Sequence, residues 1–114
     1  MSRNKYGNRK VEADGFVFDS QAEYRRFLVL RQRLDDGEIV GLMCQPVYVL
    51  QAAFRRDGKH IAAITYVGDF QYVETATGKT CCEDVKGVRT AVFNVKWKLA
   101  MARYPNVDFR IVQM

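Results

Sequence analysis

Apolar residues recur at helical spacing in two stretches of this chain, and the residues between those stretches follow the composition and period of strands. From Ser20 to Asp36, Tyr24, Phe27, Leu28 and Leu34 share one side of a helix, with Leu30 on the border of that face. Ser20 is a side-chain acceptor suited to cap the first turn, and Gly37 after Asp35-Asp36 is a stop. From Thr90 to Tyr104, Phe93, Trp97, Ala100, Met101 and Tyr104 form a second apolar face, which Pro105 ends.

Ahead of the first helix, Val11 to Phe18 has Asp14-Gly15 between short apolar flanks and reads as a small hairpin or extended lead-in strand. Glu38 to Leu42 reads as a connector, and Gln45-Pro46 sets an extended path into a strand from Val47 to Phe54. Residues Arg55 to Lys59 form a turn, Ile61 to Val73 a strand, Ala76 to Lys79 a second turn, and Thr80 to Lys86 a further strand. These three strands make an antiparallel meander. A helix and then a last strand, Val107 to Val112, form a crossover that lets the last strand run parallel. The expected fold class is α/β, with a mixed central sheet and a helix on each face.

At 114 residues the chain is the size of one domain, 1–114, in which residues 1–10 read as a mobile basic arm. No apolar run approaches the roughly 18–20 residues of a membrane span, and nothing apolar follows the basic start as in a signal peptide. A soluble protein of the cytoplasm is therefore expected. The cysteines Cys44, Cys81 and Cys82 lack metal-ligand spacing, and with His60 as the sole histidine they read as small core residues. The net charge of +5 suits a polyanionic partner. Arg3, Lys5, Arg9 and Lys10 load the arm, and Arg89, Lys96 and Lys98 load the last third, as candidate phosphate contacts or solvated surface.

The chemistry concentrates in two strands. Strand period puts Asp84 and Lys86 on one face, with Glu83 and Val85 on the other, and a hairpin at residues 76–79 brings Asp69 beside them. Two carboxylates and a lysine at one end of a sheet suit a hard divalent cation, because magnesium takes one or two carboxylates plus waters and substrate phosphate. By itself an Asp-x-Lys tripeptide in a strand is equally a solvated ion pair. Glu23 has two readings at this stage. Ser20-Gln21-Ala22-Glu23 matches a capping box, yet Glu23 also borders the core-facing side of its helix, from which a carboxylate can face the sheet end.

The series Phe18-Asp19-Ser20-x-x-Glu23, Gln45-Pro46, Gly68-Asp69-Phe70 and Asp84-Val85-Lys86-Gly87 resembles the PD-(D/E)xK nuclease superfamily. Closer still is a likeness to small phage and prophage proteins of a family of unknown function, in which a start like Lys5-Tyr6-Gly7-Asn8 precedes the same series. The resemblance runs from about Lys5 to Tyr104, and it departs from the superfamily pattern in having Gly68 rather than proline before Asp69. It implies a restriction-endonuclease-like core and a bacterial cytoplasmic setting, encoded by phage or prophage. By similarity Asp69 and Asp84 would ligate Mg2+ or Mn2+, Val85 would add its carbonyl, and Lys86 would orient the attacking water. Glu23 would match the first-helix glutamate of Holliday-junction resolvases and transposon-end nucleases. The implied activity is metal-dependent hydrolysis of DNA backbone phosphodiesters, with junctions and flaps among the open substrates and a homodimer suggested by analogy with resolvases. The alternatives are a DNA-binding module of the same fold without catalysis, and a protein-interaction domain that binds neither DNA nor metal.

Overall fold

The computed structural model describes residues 11–13 and 15–113. The basic arm, with Arg3, Lys5, Arg9 and Lys10, lies outside the described residues. A short hairpin of β1 (Val11–Ala13) and β2 (Phe16–Phe18) leads into α1 (Gln21–Asp35). Ser20 Oγ accepts the Glu23 amide at 3.1 Å and caps the helix as expected. At the other end Gly37 takes φ +76°, a left-handed conformation that lets the Gly37 and Glu38 amides reach back to Leu34 and Arg33.

The segment read as a connector is a strand, β3 (Ile39–Cys44). Its apolar residues gave no clean alternation because Gly41 interrupts them at φ +65°, where the register with the neighbouring strand shifts between Val40 and Met43. The meander expectation needs a second correction. The long strand read from Ile61 to Val73 is three strands, β6 (Lys59–Ile61), β7 (Ile64–Val67) and β8 (Phe70–Glu74). The segment from Val47 to Phe54 is likewise divided between β4 (Val47–Gln51) and β5 (Phe54–Arg56). β5 and β6 form an exposed hairpin, β4 pairs with β7 as a separate ribbon, and β8 enters the central sheet. Composition could not show these breaks, because β-branched and aromatic residues continue across them.

The central sheet has the order β10-β9-β8-β3, with β9 (Thr80–Val85) antiparallel to β8 and parallel to β10 (Val107–Val112). The expected crossover is present, carried by α2 (Ala91–Arg103). The fold is thus α/β with a mixed sheet and two helices, one on each face. α1 covers one face through Phe27 and Leu30, which pack with Phe70, Tyr72 and Cys81. On the opposite face Phe93 and Ala100 of α2 pack with Tyr48, Tyr66 and Cys82, so the β4-β7 ribbon lies on this side. Each such fully buried large side chain contributes about 1.5–3 kcal/mol. Adjacent Cys81 and Cys82 are both buried on opposite faces, as strand period requires, and all three cysteines are free thiols.

Two side-chain expectations fail. Leu30 is at the centre of the α1 core while Leu28 is 46% exposed, because the sheet lies under the Phe27–Leu30–Leu34 stripe. Met101 of α2 is exposed rather than packed, as are Val92, Val95 and Leu99, so α2 carries apolar residues on its outer side too.

Candidate functional site

Asp69 is placed by a backbone exchange between layers. The Gly68 amide donates to the Pro46 carbonyl at 2.9 Å, and the Asp69 amide donates to the Glu83 carbonyl at 3.0 Å. One residue thus ends the pairing with the ribbon and the next begins the pairing with the central sheet. A Cβ on residue 68 would lie 2.6 Å from Cys82 Sγ, so the close approach demands glycine. Asp69 Oδ2 accepts the Val85 amide at 2.6 Å, which locks its carboxylate against the end of β9.

Asp84 is 3% exposed, on the α2 side of β9. Its Oδ2 accepts a short hydrogen bond from the Tyr66 hydroxyl. Its Oδ1 is buried with no hydrogen-bond partner among the described residues, the ammonium of Lys86 standing 3.5 Å away. Lys86 lies just past β9 with its Nζ 4.5 Å from the centre of the Phe93 ring, so α2 holds the lysine in place.

Glu23 is 9% exposed in the first turn of α1. Its Oε2 accepts the Asp19 amide at 2.7 Å rather than the Ser20 amide of a standard capping box. The carboxylate is therefore a cap and a neighbour of Asp69 at once, and the two readings of the sequence are compatible.

The four side chains come from α1, the β7–β8 link and the end of β9, and all four line one cavity of about 430 Å³ together with Val85. Burial, then the neighbouring Glu23 and Asp84, hold the Asp69 carboxyl well above the ordinary carboxylate range. Burial raises Asp84 also, against the favourable pull of Tyr66 and Lys86. Three carboxylates facing one lysine leave an excess of negative charge that protons or a cation must offset.

Among the described residues no three Asp, Glu, His or Cys side chains form a ready-made metal cluster. The donor set still suits a cation that keeps its waters. Asp69 and Asp84 are hard oxygen donors on one cavity wall, and Asp84 Oδ1 is a buried acceptor without a hydrogen bond among the described residues. Of the other residues singled out in the sequence, Arg89 is exposed before α2, Lys98 is exposed on it and Lys96 is half-buried. None of these three lines the cavity. Sequence reasoning missed Tyr66, whose only signal was its place three residues before Asp69 on a strand.

The fold and the cavity define an α/β domain with a carboxylate–lysine site at the end of a mixed sheet. The chain belongs to the DUF1064 family, proteins of unknown function, whose model matches residues 3–114. A search of curated proteins found no match. No helix among the described residues is long and apolar enough to cross a membrane.

Proposed function

We propose that this protein is a metal-dependent deoxyribonuclease of the PD-(D/E)xK type, with a restriction-endonuclease-like core, that hydrolyses backbone phosphodiesters. The observation that carries this reading is Asp84 Oδ1, a buried carboxylate oxygen that has an ion pair with Lys86 at 3.5 Å but no hydrogen bond among the described residues, in a cavity shared with Asp69, Glu23 and Lys86. A purely structural aspartate at such depth would have both oxygens satisfied.

Asp69 and Asp84 would hold Mg2+ or Mn2+, with the Val85 carbonyl and Glu23 as further donors. When bound, such an ion supplies positive charge to the phosphate oxygens and lowers the pKa of water. Lys86, steadied by Phe93, orients the attacking water and offsets charge that builds on the phosphate in the transition state. Water oxygen bonds to phosphorus as the bond to the leaving oxygen breaks; the attacking water gives up one proton to solvent, and the leaving oxygen takes one from solvent. Tyr66 keeps the Asp84 carboxylate in one rotamer, with Oδ1 directed away from the Tyr66 bond. The basic surplus of the chain, +5, favours the approach of DNA.

The test is cleavage of labelled duplex, single-stranded, flap and four-way-junction DNA with Mg2+, Mn2+ or EDTA, with Lys86→Ala beside wild type. Cutting that needs metal and falls in the variant supports the reading. Salt-sensitive binding without cutting would replace it with the non-catalytic DNA-binding module, and absence of both would point to the interaction domain.

A further inference from the structure

A second cavity of about 520 Å³ adjoins the first and shares Asp19, Glu23, Gln45 and Asp69 with it. The rest of its wall is mostly apolar, from Val17, Phe18, Cys44 and Phe70. Among the described residues every charged side chain that lines it is acidic, and the cation Lys86 lines only the first. Away from Glu23 and Asp69 this wall is apolar and offers a phosphate no cation among the described residues, which suits a neutral, partly apolar group better.

Gln45 stands where the cavities meet, in a conformation that needs explaining. Its φ is +55°, left-handed for a residue with a side chain, and it precedes Pro46, which favours extended backbone at that position. Among the described residues the other non-glycine with positive φ is Asp57, in the Asp57-Gly58 tip of the β5–β6 hairpin, where a tight turn requires it. At Gln45 the backbone is pinned instead by its amide, which donates to the Asp69 carbonyl at 2.9 Å. The side chain is exposed, lines both cavities, and makes no hydrogen bond with a described residue. The left-handed backbone thus holds the Gln45 side chain where the two cavities meet.

We propose that the second cavity receives an unpaired nucleobase of the strand being cut, with the Gln45 amide against the edge of that base. This rests on the nuclease reading and adds a substrate class to it. A carboxamide offers both acceptor and donors, the pattern a base edge needs. A base stacked and paired in duplex cannot enter a cavity, and extrusion is easiest for a nucleotide already unpaired. The protein therefore prefers single strands and flaps to intact duplex.

The experiment is steady-state cleavage with Mn2+ of a flap oligonucleotide, either intact or with one abasic nucleotide moved stepwise past the cut. Wild type is compared with Gln45→Ala and Gln45→Gly. Glycine adopts the left-handed backbone freely, so Gln45→Gly removes the amide while keeping the fold, and its melting temperature should not fall. On intact DNA both variants should raise KM about tenfold, the size of one hydrogen bond. On the abasic strand that defect should vanish at one position, because base and amide act as a pair. Duplex cut as well as flap, KM unchanged in both variants, or additive losses would overturn the base pocket and leave the nuclease standing. Failure of wild type to cut any DNA would overturn the nuclease reading, and the base pocket with it.

Discussion

Glu83 and Asp84 are consecutive, both buried, and treated in opposite ways by the fold. Glu83, fully buried on the α1 side, receives two hydrogen bonds of 2.7 Å from the Arg26 guanidinium and another from the Tyr72 hydroxyl. That bonding in turn raises the Arg26 pKa. Asp84, on the α2 side, has one tyrosine on Oδ2 and, at Oδ1, an ion pair with Lys86 at 3.5 Å but no hydrogen bond among the described residues. A carboxylate with a bidentate arginine is finished. A carboxylate left short of partners at the same depth is kept for something the chain does not itself supply. The first clamps α1 to β9, and since Arg26 is one helical turn after Glu23, the same clamp sets Glu23 against Asp69.

The largest effect should come from breaking the finished side. Arg26→Ala leaves Glu83 buried without its arginine partner, and should lower unfolding free energy by about 3–5 kcal/mol, read from urea melts. The same depth of burial predicts the opposite for the unfinished side. Asp84→Asn keeps the oxygen that accepts from Tyr66 and removes a buried charge, so metal-free stability should not fall. Cleavage should drop at least about a hundredfold, as when one electrostatic group of a site is lost.

A pH titration sharpens the contrast. Asp69 is raised above its unfolded value by burial first and by Glu23 and Asp84 second, and Asp84 is raised by burial against the opposing pull of Tyr66 and Lys86. The folded state therefore binds more protons than the unfolded one. The stability this contributes is complete below the ordinary aspartate value of about 4 and is lost as pH rises toward the raised values. Metal-free wild type should melt higher at pH 5 than at pH 8, and Asp69→Asn should flatten that slope. A slope unchanged in the variant would show that Asp69 is not the strained group. The smallest effect is expected at Glu23. Glu23→Gln retains an oxygen for the Asp19 amide and the backbone bond to Ser20, so stability should shift by less than about 0.5 kcal/mol. Loss of cleavage in that variant marks Glu23 as part of the site, and unchanged cleavage marks it as a cap alone.

Much of the site's placement was legible because strand period and hairpin closure are local rules. The alternation that separated Asp84 and Lys86 from Glu83, and the turn at 76–79 that returned the chain beside Asp69, needed no tertiary information. The helices and the parallel last strand followed in the same way from capping residues and crossover geometry. What was not legible depended on neighbours. Leu30 is central and Leu28 peripheral only because of where the sheet lies. The Gly41 irregularity disguised β3, and Gly68 conceals a change of sheet that composition cannot register. Most of all, Glu83 and Asp84 are indistinguishable as letters. Arg26, 57 residues before Glu83, decides which of the two is satisfied.

The most direct measurement is the cleavage rate of Asp84→Asn against wild type on a single DNA substrate at saturating Mn2+, with the melting temperature of both proteins taken alongside. The expected result is a rate lost by at least about a hundredfold in a variant that melts no lower. A variant that cuts within a few-fold of wild type would contradict the assignment of Asp84 as the carboxylate the fold leaves open for catalysis.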